Sequence, residues 1–367
     1  MGRRHRLMDF MLGHGHEEFD NHELVAFCRD AGTGLSAIIA IHDTSAGPAA
    51  GGCRMMRYAT FADALTDVLR LSKGMTYKAI MAGMPFGGGK AVILADPRKE
   101  KTPELLMAFA ERVARLGGTF ITGEDVGTTV ADIEVMRRVT PHVRGIPANG
   151  HGDPSSMTAL GVLKGIETAV EHQLRAHDLK GIRVIVQGLG AVGWRLSKLL
   201  RNAGAILIAS DIDLELMEKA RRQLGATIVP PDHSPAAEAD VYAPCALGGT
   251  LSERTIGDLR VSIVAGAANN QLATAEDGRR LADRGVLYAP DYVINAGGLI
   301  SGALEGPSFD HAELLERVGQ IPKTLRDLFT RAEAEKLPTS IVADLTAQER
   351  LAQARAQKQK REGVYHQ

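Results

Sequence analysis

The chain has 367 residues, 44% hydrophobic and 24% charged, the composition of a folded globular protein rather than a disordered one. At roughly 150 residues per domain, that length implies two or three domains. Lys plus Arg number 43 against 44 for Asp plus Glu, and this net charge of -1 argues against nucleic-acid binding by bulk positive charge. No apolar run approaches the ~18 residues needed to cross a bilayer, so no membrane partner is expected. The N-terminus MGRRHRLMDFML is basic but has neither a long apolar core nor a small-residue cleavage site, so it does not read as a secretory signal. Cys28, Cys53 and Cys245 are far apart and cannot all pair, which points to reduced thiols in a cytoplasmic protein. No CxxC or HExxH pattern suggests a metal. The outlier is glycine, with 40 residues clustered at 51–52, 87–89, 188–193, 248–249 and 297–298, a pattern pointing to an enzyme with several ligand-facing loops.

In chain order, residues 1–20 read as weakly structured, and His14-Gly15-His16 as part of a solvated terminus rather than a metal site. Apolar runs at 23–27 and 35–41 flank the turn residues Asp30-Ala31-Gly32-Thr33-Gly34, which predicts an antiparallel hairpin. Residues 61–82 carry Ala64, Leu65, Val68, Leu69, Leu71 and Met75 at helical spacing. The glycines at 87–89 read as a loop that stops this helix, followed by a short strand at 91–94. A helix over 103–116 opens on Pro103, a strand follows at 119–122 and a helix at 129–138. Turn residues crowd 141–155, which places a domain boundary near residue 147. Beyond it come a helix over 156–173 and a regular alternation: strand 182–187, helix 191–203, strand 205–210, helix 213–224. Strands follow near 227–229, 240–243, 261–265 and 286–289, most of them separated by helices. That alternation predicts an α/β fold with a parallel sheet covered on both faces. From about residue 310 the chain is helical and long enough to pack back on the first domain.

The strand at 182–187 runs into Gly188-Leu189-Gly190-Ala191-Val192-Gly193, a GxGxxG turn that opens a helix. The first glycine permits the tight turn, the second lets backbone approach a pyrophosphate, and the third lets helix pack on strand. The helix N-terminus then offers free N–H groups to phosphate. The next strand ends in Asp211, whose carboxylate can accept from both ribose hydroxyls and would repel a 2′-phosphate, favouring NAD over NADP. Three small-residue stretches, 243–248 with Cys245 and Ala246, 266–270 with Asn269, and 295–298, read as loops at strand ends that can line the nicotinamide end.

Lys78 and Lys90 lie twelve positions apart, the first late in a helix and the second closing the glycine stretch. If both enter one cleft, mutual repulsion and desolvation lower the cost of deprotonating one of them. One lysine then serves as a base while the other binds a carboxylate, with Asp125 shuttling a proton. On physics alone, two surface lysines are the default reading of these residues.

In order along residues 45–305, several motifs together resemble the family of glutamate, leucine, phenylalanine and valine dehydrogenases. They are Gly51-Gly52-Cys53-Arg54-Met55, the lysine helix, Gly87-Gly88-Gly89-Lys90, Gly123-Glu124-Asp125-Val126-Gly127-Thr128-Thr129, the glycine turn, Ala243 to Gly248, Ala268-Asn269-Asn270-Gln271 and Tyr288 to Gly298. The resemblance implies two domains. Residues 1–146, joined by a C-terminal helix at about 336–367, would form an α/β substrate and oligomerisation domain, and 147–335 a Rossmann-type NAD-binding domain. It implies reversible oxidative deamination in a homo-oligomer, with an amino acid, its 2-oxo acid and ammonia as the small-molecule partners. Lys78 would hold the substrate carboxylate, Lys90 activate water and Asp125 move protons at the amino group. Gly51, Gly52 and Met75 would wall the substrate site, Thr158 and Asn269 hold the nicotinamide and substrate region, and Asp211 bind ribose. Closure of the two domains would exclude water.

Glutamate-type members are expected to carry a lysine just before the Gly-Gly pair; this chain has Ala50, and a buried, unpaired acidic side chain is costly. Leucine-type members resemble Ala at 123 and Val at 299. This chain has Gly123 and Leu299, the pairing that looks phenylalanine-like, and Gly302 and Ala50 add space. The expected substrate is therefore bulky and aromatic, with branched aliphatic amino acids next. Gly89 stands where leucine-type members usually have Ala, which would loosen the loop before Lys90. The competing readings are a non-catalytic NAD-sensing protein and NAD-linked chemistry on a 2-hydroxy acid.

Overall fold

A computed structural model describes residues 16–145, 153–305 and 309–364. The chain divides into two compact units, one within residues 1–148 and 349–367, the other within 149–348. His14, Gly15 and the domain boundary expected near residue 147 lie outside the described residues.

The first unit holds strands β1 (Leu24–Asp30), β2 (Leu35–Asp43), β3 (Ala49–Ala50) and β4 (Cys53–Met56), then helix α1 (Phe61–Met81) and strand β5 (Gly87–Leu94). Helix α2 (Pro103–Ala114), strand β6 (Phe120–Ile121) and helix α3 (Val130–Arg137) complete it. The strand order is β1-β2-β5-β3-β6, with β4 also pairing β5. β1 and β2 form the expected antiparallel hairpin, from Leu24 opposite Ile41 to Asp30 opposite Leu35. Alternation along β2 explains the two layers. Ala37, Ile39 and Ile41 join Leu105, Leu106 and Phe109 of α2 on one face. Ile38 and Ala40 meet Ala64, Val68 and Leu69 of α1 on the other. A capping box between Thr60 and Asp63 starts α1.

One expectation is overturned here. Gly87–Lys90 is not a loop; it is the first half of β5, paired to β2 and β3 and buried throughout. The glycines serve close approach rather than turning. A Cβ at Gly87 would run into the Asp43 carbonyl, one at Gly88 into the Thr76 amide of α1, and one at Gly89 would lie 2.7 Å from the Phe120 ring. Gly89 therefore tightens packing around Lys90 and does not loosen it. Strands β3 and β4 have no counterpart among the expected elements, because each is too short for a periodic signal.

The second unit begins with α4 (Pro154–Leu174), β7 (Arg183–Gln187), α5 (Ala191–Asn202), β8 (Ile206–Ser210), α6 (Leu214–Leu224) and β9 (Thr227–Ile228). It continues with β10 (Val241–Pro244), α7 (Glu253–Asp258), β11 (Ile263–Val264), α8 (Ala275–Asp283) and β12 (Leu287–Tyr288). Helices α9 (Asp291–Ile294), α10 (Gly297–Ala303), α11 (His311–Val318), α12 (Ile321–Glu335) and α13 (Thr339–Val364) close the chain. All sheet pairings here are parallel, in the order β12-β11-β10-β7-β8-β9. This is the doubly wound order, with its switch point between β7 and β10. Residues 295–298, expected as a loop at a strand end, instead join α9 to α10. The last part of α13 packs on the first unit, where Arg350 donates to the Met81 carbonyl at 3.1 Å and Arg355 to Asp43 at 2.8 Å. Among the described residues no helix is long and apolar enough to cross a membrane.

Between β2 and α1 lie two buried histidines. His22 meets the Leu69 carbonyl and Ser72 Oγ through Nε2, at 3.2 and 3.0 Å, and His42 Nδ1 meets Thr76 Oγ1 at 2.8 Å. Their rings stand 4.9 Å apart, edge to face. Burial, reinforced by the charge of His42, depresses the His22 pKa to about 4, against the opposing pull of Leu69 and Asp20. Burial likewise lowers His42, although Asp20 and Asp43 pull the other way and Lys73 and Arg355 add to the lowering. The folded chain thus refuses protons that the unfolded chain accepts below about pH 6.5, so this stability is complete above that pH and is lost as pH falls toward 4. Denaturant midpoints should fall on acidification from about pH 7.5 to 4.5, with His22 alone accounting for on the order of 1 kcal/mol after solvent screening. His22→Gln, which keeps a donor and an acceptor, should flatten that slope; an unchanged slope rejects the assignment.

Candidate active site

In the first unit the site is built around Lys90. Its side chain sits in β5 with the residue only 6% exposed, where an unpaired ammonium costs several kcal/mol. The partner is Asp125, whose Oδ2 lies 3.1 Å from Nζ. Asp125 is brought there by the segment 123–128, which β4 holds by backbone bonds: Cys53 N–H donates to Gly123 O and Met55 N–H to Val126 O, both at 2.8 Å. Thr128 fixes the turn, its hydroxyl accepting from Asp125 N–H at 2.9 Å and donating to Cys53 O at 2.9 Å. Gly127 has φ +82, and a Cβ there would strike the Met55 carbonyl.

Gly51 and Gly52 fill the gap between these two segments. A Cβ on Gly51 would run into Gly89 O and lie 3.4 Å from Met75 Cγ, and a Cβ on Gly52 would lie 2.9 Å from Asp125 Cβ. The structure therefore brings together Lys90, Asp125, Gly51, Gly52 and Met75. Lys78 lies one helical turn past Met75, half-buried in the last turn of α1, so the two share a face.

The sequence reading missed Arg54. Its Nε donates to the same Asp125 Oδ2 at 3.0 Å. Burial would raise the Asp125 pKa, but Lys90 and Arg54 together outweigh it and hold the carboxyl below its ordinary range. Lys90 thus faces a carboxylate shared with a guanidinium, an addition to the expected pair of lysines. Arg54 lies within the Gly-Gly-Cys-Arg-Met motif, but nothing local assigned it a partner.

Gly123 carries a packing constraint beside the role expected for it. A methyl there would point at the Arg144 carbonyl, 2.9 Å away, because Arg144 N–H bonds Thr122 O at 2.8 Å. A methyl here is accommodated only if the Arg144 carbonyl shifts, so backbone packing bears on this position together with pocket volume.

In the second unit Gly188 leaves β7 with φ +96, and a Cβ there would lie 2.8 Å from Ala246 N, pressing the Cys245–Ala246 loop after β10 against the glycine turn. A Cβ on Gly193 would strike the Gly188 carbonyl, while one on Gly190 would meet nothing within 4 Å. Leu189, Ala191 and Val192 complete the turn into α5, which no side chain caps at Gly190. Asp211, at the end of β8, accepts from Leu189 N–H through Oδ2 and from Asp213 N–H through Oδ1, the latter at 2.8 Å.

The start of α4 lies alongside. Arg195 of α5 bonds Asp153 at 2.6 Å and Ser156 Oγ at 3.2 Å. Thr158 packs against α10, where a Cβ on Gly298 would lie 2.7 Å from its Oγ1. Asn269 Oδ1 accepts from Asn295 Nδ2 at 2.8 Å. Leu299 and Gly302 are three apart on α10, and a Cβ on Gly302 would meet open space. No His, Cys, Asp or Glu cluster fit for a metal occurs among the described residues.

Comparison with known proteins agrees with both halves. Residues 22–142 match the family model described as Glu/Leu/Phe/Val dehydrogenase, dimerisation domain, and residues 212–358 match the Glutamate/Leucine/Phenylalanine/Valine dehydrogenase model. A phenylalanine dehydrogenase from Caldalkalibacillus thermarum is 46% identical over 91% of this chain and 92% of its own length. A leucine dehydrogenase from Geobacillus stearothermophilus is 43% identical over 91% and 92%. The crystal structure of L-tryptophan dehydrogenase from Nostoc punctiforme superposes with a TM-score of 0.81 at 42% identity, covering 94% of this chain and 99% of that one.

The packing account of Gly123 is directly testable. Gly123→Ala should destabilise the fold by about 1–3 kcal/mol in denaturant unfolding, the usual range for a methyl forced into a filled space. Unchanged stability would mean the methyl finds room, and would leave pocket volume as the explanation of this position.

Proposed function

The chain belongs to the glutamate, leucine, phenylalanine and valine dehydrogenase family, and from that premise we propose that it carries out reversible, NAD-dependent oxidative deamination of an aromatic, phenylalanine-like L-amino acid. It is an amino-acid dehydrogenase working with a nicotinamide cofactor. The observation that carries the mechanism is the buried Lys90–Asp125 pair at 3.1 Å. Lys78 binds the substrate carboxylate, and Gly51, Gly52 and Met75 leave room beside it. Asp125 takes the proton of the substrate amino group. The substrate ammonium displaces Lys90 from that carboxylate and repels its charge, Lys90 releases its own proton to solvent, and the neutral amine then takes a proton from water as it adds to the imine. Asp125 then returns a proton to the departing ammonia.

The second unit fits the cofactor. The space beside Gly190 and the uncapped start of α5 suit a pyrophosphate. Thr158, Asn269, Cys245 and Ala246 hold the nicotinamide end. The bound cofactor supplies the acceptor for the hydride that leaves the α-carbon. Asp211 binds ribose: each of its oxygens already accepts one backbone N–H and keeps a second acceptor position for a hydroxyl, while its charge disfavours a 2′-phosphate.

The aromatic reading is supported by relatives named for phenylalanine and tryptophan, by Ala50 in place of a cation, and by the open space beside Gly302 near Leu299. Relatives named for leucine keep a branched aliphatic substrate as the second reading. The dimerisation-domain match supports a homo-oligomer, and three free cysteines support a reducing, cytoplasmic setting.

Specificity constants for phenylalanine, tryptophan, leucine, valine and glutamate, each with NAD and NADP, test the proposal. An aromatic substrate should exceed leucine by about tenfold or more, with NAD preferred and glutamate barely turned over. Preference for leucine or valine overturns the aromatic assignment, and preference for NADP overturns the role of Asp211. Lys90→Ala should lose about 10²–10⁴-fold in kcat with NADH binding, followed by fluorescence, unchanged. A Lys90→Ala variant that kept its kcat would remove the lysine from the chemistry.

A further inference from the structure

Asp125 Oδ2 receives two cations, Lys90 Nζ at 3.1 Å and Arg54 Nε at 3.0 Å, while Oδ1 has no hydrogen-bond partner among the described residues. Arg54 projects from β4, on the face opposite the buried Cys53 and Met55. Its Nη1 turns the other way, to Asp67 Oδ2 of α1 at 2.9 Å, and Tyr58 Oη donates to the same Asp67 oxygen at 2.7 Å. The result is one chain of alternating charge: Lys90, Asp125, Arg54, Asp67, closed by a phenol.

The two cations on Asp125 are chemically unlike. In the reaction proposed above, Lys90 gives up and regains a proton, so its charge is intermittent. Arg54 cannot deprotonate, and its planar fork is anchored at both ends. We propose that Arg54 is the positioning residue of the proton-handling pair: it pins Asp125 Oδ2 and supplies the counter-charge that persists when Lys90 is neutral, leaving Oδ1 for the substrate amine. The inference rests on the roles proposed for Lys90 and Asp125.

The surroundings agree. Burial opposes ionisation of Asp125, and the carboxyl is nonetheless held below its usual range by Lys90 and Arg54. Cys53, buried beside it, has its thiol pushed up by burial and contributes no negative charge. Burial pushes the Tyr58 phenol up, and its bond to Asp67 adds to this, so it stays a donor. Lys90 and Arg54 are therefore the two side-chain cations paired with Asp125 among the described residues, and only one of them is permanent.

The test is kcat/KM against pH for wild type, Arg54→Gln and Arg54→Lys, using the best amino acid of the substrate panel, with thermal unfolding in parallel. Arg54→Gln should lower kcat by about tenfold or more at neutral pH. Its acid limb should move up by about one pH unit, because Asp125 then protonates more readily. Arg54→Lys should return the acid limb to its wild-type position but recover only part of kcat, since a point charge cannot hold both carboxylates. If Arg54→Gln is active but its acid limb is unmoved, the role is purely structural and the proposal fails. If Arg54→Gln does not fold, Arg54→Lys decides: a folded lysine variant with full wild-type kcat overturns the proposal, and reduced kcat with an unshifted acid limb supports it. Wild type turning over no amino acid of the panel would instead sink the dehydrogenase assignment on which the inference stands.

Discussion

A positive charge buried in a β-strand is the constraint that organises the first unit. Lys90 is 6% exposed, and an ammonium in that position must find a carboxylate or not be charged at all. The carboxylate comes from a segment with almost no regular structure, residues 123–128, and the surrounding chain is arranged to hold that segment still. Strand β4 supplies two backbone bonds, Thr128 locks the turn, and Gly52 and Gly127 remove the side chains that would push it away. The resulting ion pair is poor material for stability, since desolvation absorbs most of the attraction. In the proposed reaction its value lies in chemistry: Lys90 and Asp125 are kept at hydrogen-bond distance, and Arg54 helps hold Asp125 in its charged form.

Glycine plays two different physical parts in the two units. In the first unit Gly51, Gly52 and Gly87–Gly89 are needed because backbone, helix or ring approaches where a Cβ would stand. In the second unit Gly188 is needed for its positive φ, and Gly190 opens onto empty space, where the proposed pyrophosphate would lie. The same abundance of glycine therefore reports dense packing in one place and ligand access in the other. Reading every cluster as a ligand-facing loop treats the two as one.

This distinction explains what was legible in the sequence. The doubly wound unit could be read strand by strand, since its apolar runs, its GxGxxG turn and Asp211 each obey a local rule tied to position in the chain. The β1–β2 hairpin was legible for the same reason. Gly87–Gly89 was misread as a loop because the local rule for three glycines says turn. What places them in a strand is tertiary: Thr76, Asp43 and Phe120 crowd the strand from three sides. Arg54 was invisible as a functional residue for a related reason. Its two partners, Asp67 and Asp125, come from a helix and a distant loop, and no spacing along the chain connects them. Residues 295–298 show the same limit: their small side chains mimic a loop, but contact with Met157 and Thr158 makes Gly297 and Gly298 the close-packed start of a helix.

The charges of the first unit also bear on what it can bind. Lys90, Arg54, Asp125 and Asp67 are paired with one another in a chain whose formal charges cancel. Position 50 lies outside this network, in β3 between Gly88 of β5 and Ile121 of β6. Its two cross-strand partners, Gly88 and Ile121, carry no charge. If the substrate side chain lies at this end, as proposed, an anionic tail would be desolvated without compensation, whereas an apolar tail gains from leaving water. In the proposed reading, the Lys90–Asp125 pair that handles the α-carbon and the uncharged residue at position 50 are separate features of one sheet, which suits a chain whose relatives are named for leucine, phenylalanine and tryptophan.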